Sequence, residues 1–160
     1  MLTDRTVLIA VTVVTAILLV LFTPRDRIRE AQLVYLFKLL ITWLVGLLVS
    51  EYGLIRYPVR EFPNATANNF TYEYFIYPAI SIVFVLRFPE RKSVWHKIGW
   101  YLLFPSWMSA LEWMIEKHTQ LIDYVHWSWY WTWLSLLATF YLSRLYYVWF
   151  MKRGIPAKKP

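Results

Sequence analysis

Leu33-Val-Tyr-Leu-Phe-Lys38-Leu-Leu-Ile-Thr42-Trp-Leu-Val-Gly46-Leu-Leu-Val-Ser50-Glu51-Tyr-Gly53-Leu54 is an apolar run interrupted at fixed intervals. At a rise of about 1.5 Å per residue, a helix of this length crosses a hydrocarbon core of about 30 Å. Lys38, Thr42, Gly46 and Ser50 recur by four, with Gly53 just beyond, so they share one helical face. Lipid offers no hydrogen-bond partner, so such a face turns toward other protein helices. The run therefore predicts a transmembrane helix inside a bundle.

Four further apolar stretches flank it, at about Val7–Phe22, Phe70–Phe88, Ile98–Met114 and Val125–Met151. The fold predicted is all-α: a single polytopic transmembrane bundle over residues 1–160 with about five spans. The fourth span is short and holds Pro105 and Glu112. The first is longer than a signal-peptide apolar core, and Thr23-Pro24-Arg25-Asp26 follows it instead of a small-residue cleavage site. It is expected to be retained as a span.

The distribution of Lys and Arg orients the bundle. With the N-terminus outside, the cytoplasmic segments hold Arg25, Arg27, Arg29, Arg87, Arg91, Lys92, Lys97, Lys152, Arg153, Lys158 and Lys159. The external segments hold Arg5, Arg56, Arg60 and Lys117, and only Lys38 and Arg144 fall within spans. That bias is what the positive-inside rule requires of an outside N-terminus and a cytoplasmic C-terminus.

Composition agrees. Only 17% of the 160 residues are charged, against roughly 25% in soluble domains, and 59% are hydrophobic. The mean hydropathy of +0.40 understates this, because the scale counts Trp and Tyr as polar. With no Cys, disulfides, thiolate catalysis and Cys-ligated metal centres are excluded. The net charge of +7 clusters between apolar segments, which fits anionic lipid headgroups and topology control better than nucleic acid. No phosphate-binding loop, nucleophile elbow or zinc motif is present, and no cofactor or metal site is expected.

The last span carries Ser128, Thr132, Ser135, Thr139 and Ser143 along one face, and the third carries Glu73, Tyr77 and Ser81. The first lacks a sustained stripe and is expected at the bundle edge. Small and hydroxyl residues let helices approach closely, while Pro78 and Pro105 each free a carbonyl one turn earlier. Six of the ten acids fall on the external side of spans two to five: Glu51, Glu61, Glu73, Glu112, Glu116 and Asp123. With Arg56, Arg60 and His126 they form a candidate outer polar cluster. In it Glu112 is expected to pair with Arg56 or Arg60. Lys38 and Arg144, about two turns inside the cytoplasmic edge, are expected to snorkel or to hold an anionic lipid headgroup. Four Trp residues in His126-Trp-Ser-Trp-Tyr-Trp-Thr-Trp133 face both sides of a helix, as an interfacial aromatic belt does. Asn64-Ala-Thr66 and Asn69-Phe-Thr71 match the glycosylation sequon in the external loop.

Two stretches carry a family likeness. One is Arg56-Tyr-Pro-Val-Arg60-Glu-Phe-Pro63-Asn-Ala-Thr66 with Phe70-Thr-Tyr-Glu73-Tyr-Phe-Ile-Tyr-Pro78. The other is Glu112-Trp-Met-Ile-Glu116-Lys-His-Thr119-Gln-Leu-Ile-Asp-Tyr124 with Tyr141-Leu-Ser-Arg144-Leu-Tyr-Tyr-Val-Trp149. Together they resemble an uncharacterised family of small multi-pass membrane proteins from spore-forming Firmicutes, over roughly residues 35–152. The resemblance implies a bacterial cytoplasmic membrane location, and no activity, cofactor or catalytic residue comes with it.

On residues alone, the leading functional expectation is a non-enzymatic membrane protein. It would bind a partner protein, a lipid, a small solute or a second copy of itself through the outer cluster. The second is a small transporter or ion-conducting subunit using Glu51, Glu73 and Glu112 along the hydroxyl-lined interior. The third is a lipid-headgroup enzyme with Glu112 or His126 as acid–base group, for which no activated nucleophile is visible.

Overall fold

The structure is a computed structural model that describes residues 2–154, with side chains described for residues 4–152. Lys158 and Lys159, which the charge count assigns to the cytoplasm, lie outside the described residues. The chain is helical: α1 (Leu2–Phe22), α2 (Ile28–Glu51), α3 (Tyr77–Leu86), α4 (Val94–His118) and α5 (Trp129–Gly154). A 3₁₀ turn at Arg25–Arg27 leads into α2, and a π-helical turn at Tyr72–Ile76 leads into α3. Two short strands, β1 (Ile55–Arg56) and β2 (Asp123–Tyr124), pair antiparallel with Ile55 opposite Tyr124 and Arg56 opposite Asp123. The apolar pattern gives no sign of this clip.

Termination of α2 shows how the local sequence works. Gly53 adopts φ 61°, which glycine reaches without a Cβ clash. There Leu54 N–H reaches back to Val49 O at 2.9 Å and Gly53 N–H to Ser50 O at 3.0 Å, closing the last turn. The chain then enters β1, and Val125 and His126 N–H both donate to Leu54 O at 3.1 Å. The loop ahead of α5 is thereby fastened to the end of α2.

The π turn follows from Pro78. Tyr77 N–H bonds Tyr72 O, five residues back. The next bond in that series would come from Pro78, which has no N–H. Glu73 O instead accepts from Thr42 Oγ1 at 2.9 Å, and Tyr74 O accepts from the Tyr35 hydroxyl. The carbonyls freed by proline are thus what ties this segment to α2.

Packing sets α3 at the centre. Pro78 to Ile82 and Phe84 to Leu86 are buried, and α2, α1 and α5 all pack on this helix. α4 and α5 form an extensive pair, and Phe84 meets Tyr101, Phe104 and Phe140 at ring centroid distances of 4.6–5.2 Å. Arg27 caps α3 by donating to Leu86 O at 2.9 Å, while also reaching Glu30 at 2.6 Å and Tyr147 Oη at 2.7 Å. α1 packs on α3 and its π turn at the edge, as its missing polar stripe predicts.

Asp4–Phe22 and Arg25–Glu51 are long and apolar enough to cross a membrane, and Tyr72–Leu86 is a shorter apolar helix. Only 11% of the first window and 28% of the second are buried inside the protein, which is not how the core helices of a soluble domain sit. Their exposed residues include Ile9, Val13, Val20, Leu36, Leu40 and Leu48, and those of α4 and α5 include Leu102, Leu103, Leu142 and Leu145. So continuous an apolar exterior marks a surface that meets something other than water.

Candidate functional site: a polar chamber inside the bundle

The stripe of α2 turns inward. Lys38, Thr42 and Gly46 are buried, and they face Thr132 and Thr139, also buried, on α5. Lys38 is fully enclosed. Its Nζ donates to Thr139 Oγ1 at 2.5 Å and lies 4.5 Å from the centroid of the Phe140 ring, so two neutral groups hold the ammonium. The expectation that Lys38 snorkels to headgroups is corrected. Its stem is too deep between α2 and α5, and the nearest polar atom belongs to α5.

Glu73, on the π turn, points to the same interior. It lies against Gly46 and within electrostatic range of Lys38 and Glu112. Glu112, from α4, is buried and takes three hydroxyl donors. Tyr124 Oη and Thr132 Oγ1 reach its Oε1 at 2.6 and 2.8 Å, and Tyr77 Oη reaches Oε2 at 2.7 Å. Trp127 Nε1 donates to Thr132 Oγ1 at 2.9 Å, holding that hydroxyl in place. The predicted pairing of Glu112 with Arg56 or Arg60 is not what forms. Arg56 is exposed on β1, and the Arg60 guanidinium donates to Tyr57 O, Thr66 O and Pro63 O within its own loop. These three carbonyls hold it within the loop.

Between these groups lies a cavity of about 60 Å³, lined by Thr42, Gly46, Tyr57, Glu73, Tyr77, Glu112, Trp127, Thr132, Ser135 and Thr139 with neighbouring apolar residues. A water molecule needs about 10–15 Å³ by the same measure, so the chamber has room for a few waters or one small ion. Burial and the nearby carboxylates push the Tyr57 and Tyr124 phenols above their ordinary range. Both stay neutral and able to donate. Two carboxyl groups, Glu73 and Glu112, line the chamber, and the Lys38 amine lies outside that lining within electrostatic range of Glu73.

The outer cluster expected from sequence divides. Glu73 and Glu112 turn into the chamber, whereas Glu51 and His126 are exposed at the surface and Glu116 pairs with Lys117 at 3.2 Å. Glu51 therefore does not belong to the hydroxyl-lined interior. Arg144, the other headgroup candidate, is buried, pairs with Glu90, and stacks 4.6 Å from the Phe88 centroid and 5.3 Å from that of Tyr147. Its partners in the structure are these protein groups, where snorkelling or an anionic lipid headgroup was expected. Asn69 is fully buried, donating to Val59 O and accepting from Tyr72 N–H, so of the two sequons only Asn64 is exposed. Among the described residues, no group of three His, Asp or Glu side chains is placed to hold a metal ion.

Tyr57 and Trp127, which line the chamber, and Tyr124, which bonds Glu112, are the residues that sequence reasoning missed. Tyr57 and Trp127 sit in loops and Tyr124 on β2, where no helical period marks an inward face, and the β1–β2 clip with the bonds to Leu54 O holds this region together. No known protein family, curated protein or solved structure matches the chain.

Proposed function

We propose that this is a small transporter or ion-conducting subunit that exchanges a proton for a monovalent cation at the interior chamber. In this reading all five helices span a bacterial cytoplasmic membrane, with the N-terminus outside and the C-terminus in the cytoplasm. The observation that carries it is the shared lining: Glu73 and Glu112 border one ion-sized cavity, with Lys38, outside that lining, within electrostatic range of Glu73. With all three groups charged, one negative charge is left over in an interior where a lone ionised carboxylate costs about 2.5 kcal/mol or more. One positive charge, brought by a proton or by a cation, neutralises it. The site thereby moves from the outer surface favoured by the sequence to the bundle interior.

Support for five spans comes from lengths, surface and charge. α4 has 25 residues and α5 has 26, each enough to cross at about 1.5 Å per residue. The α3 segment is shorter, and it is the helix most enclosed by others, so protein rather than lipid surrounds its ends. The exposed apolar residues form the lipid-facing exterior, and the Lys and Arg distribution sets the orientation.

The test is gradient dissipation in proteoliposomes loaded with a pH-sensitive dye. An imposed pH gradient should collapse faster with the wild-type chain than in protein-free vesicles once a monovalent cation is added outside. Glu112→Gln and Glu73→Gln should each slow it at least tenfold. Wild-type vesicles that hold the gradient as well as empty ones contradict the reading.

A further inference from the structure

The chamber has a second wall. α1 packs on α3, which leaves a crevice between α1 and α4 of about 480 Å³. Its lining is almost wholly apolar, with Val11, Val14 and Leu18 on one side and Met108, Leu111 and Ile115 on the other. Thr15, Tyr72, Tyr77, Glu112, His118 and Thr119 break that character, and of these Tyr77 and Glu112 also line the chamber. Toward the cytoplasmic end the crevice runs into a further cavity of about 720 Å³, which shares Thr15, Leu18, Ile80 and Trp107 with it. A largely apolar groove thus lies along α1, with one carboxylate, Glu112, on its wall, His118 in the lining of the crevice and Arg87 in that of the further cavity.

We propose that this crevice admits an amphiphilic organic cation from the bilayer and presents its charge to Glu112. The inference rests on the reading of the chamber as a site for one positive charge, and it names the class of cation. Volume separates the two spaces. The chamber of about 60 Å³ holds only a small ion, whereas the crevice lies within the roughly 300–1,000 Å³ range of organic ligand sites. Charge separates the occupants. An acyl chain or an anionic lipid gains nothing from a carboxylate at the wall, while an organic cation with an apolar body satisfies both lining and charge. Neutral hydroxyls fix Glu112 on both oxygens, and among the described residues no salt bridge engages it. Tyr77, shared by crevice and chamber, stands between the two as the group an entering cation meets beside Glu112.

The test uses two ions of one shape and opposite charge, tetraphenylphosphonium and tetraphenylborate, added to purified protein in detergent. Binding is read by quenching of tryptophan fluorescence, with Trp107 in the crevice wall. Tetraphenylphosphonium should bind saturably and tetraphenylborate at least tenfold more weakly. Glu112→Gln should abolish that preference. Val14→Trp, which touches none of the three hydrogen bonds to Glu112, should weaken tetraphenylphosphonium binding at least tenfold by filling the crevice. Equal binding of both ions would show a groove that selects only for apolarity and would overturn the proposal, as would undiminished binding to Val14→Trp. Absence of tetraphenylphosphonium binding alongside Glu112-dependent collapse of pH gradients overturns this inference and leaves the chamber reading intact. Absence of both removes both.

Discussion

Gly46 on α2 and Glu73 on the π turn approach so closely that a Cβ at position 46 would stand 2.8 Å from Glu73 Oε1. It would also stand 2.9 Å from Asn68 Nδ2. Only glycine lets the carboxylate lie against the helix backbone there. Gly46→Ala should therefore destabilise the bundle by about 1–3 kcal/mol, the usual cost of overpacking. Gly99 on α4 is the control, since nothing lies within 4 Å of a Cβ built there. Gly99→Ala should be neutral or stabilising by up to about 1 kcal/mol through helix propensity. Thermal melting of both variants in detergent checks the contrast, and equal effects would mean that Gly46 is not a contact position.

Thr139 supplies the oxygen nearest to the buried Lys38 ammonium, at 2.5 Å. Thr139→Leu both deletes that acceptor and adds bulk where α2 and α5 meet, and each effect is expected to cost about 1–3 kcal/mol. Leu137→Ile, at a half-buried position off the hydroxyl stripe, should cost under about 1.5 kcal/mol. If the two variants melt alike, the Lys38–Thr139 contact is not part of the helix interface.

Glu112→Gln separates a hydroxyl-held carboxylate from an ion-paired one. The amide oxygen still accepts from Tyr124 and Thr132, and the Tyr77 hydroxyl can rotate to accept from the new NH₂. The expected stability loss is about 1 kcal/mol at both pH 5 and pH 8, with exchange activity lost. A drop of several kcal/mol at both values would reveal a cationic partner.

Alkaline titration reads the loop tyrosines. Tyr57 is held above its ordinary range chiefly by burial and then by Glu73 and Glu112. The folded state therefore keeps the phenolic proton more tightly than the unfolded chain, whose value is about 10. The stability linked to this proton is complete below about pH 10 and is lost as pH rises beyond it. Tyr57→Phe should flatten the fall in melting temperature between pH 9 and pH 11. An unchanged slope would mean that Tyr57 does not contribute to it.

Much of this was legible in the sequence. The positions of all five helices, the inward stripes of α2 and α5, and the edge position of α1 follow from apolar period and small-residue spacing. The freed carbonyls before Pro78 were foreseen too, although their capture by Tyr35 and Thr42 depends on helix rotation. That same rotation decides whether Lys38 points to lipid or to Thr139, and no local pattern encodes it. Glu112 stood out as a carboxylate within an apolar stretch. Two of its partners, Tyr77 and Thr132, lie on stripes the sequence shows, whereas Tyr124 meets Glu112 from a two-residue strand paired with Ile55–Arg56 that no pattern marks.

Orientation is checked by single cysteines, since the chain has none of its own. Asn64 and Lys92 are both exposed, so access is decided by the membrane alone. In intact cells an impermeant thiol reagent should label Asn64→Cys and spare Lys92→Cys. The reverse pattern would invert the proposed topology.

Exchange at the chamber is measured most directly as proton release. Purified protein in weakly buffered detergent solution is titrated in turn with sodium, potassium and tetraphenylphosphonium chloride while the pH is recorded. The account predicts that at least one of these cations releases one proton per wild-type chain and none from Glu112→Gln. No release with any of the three, or equal release from the variant, would contradict it.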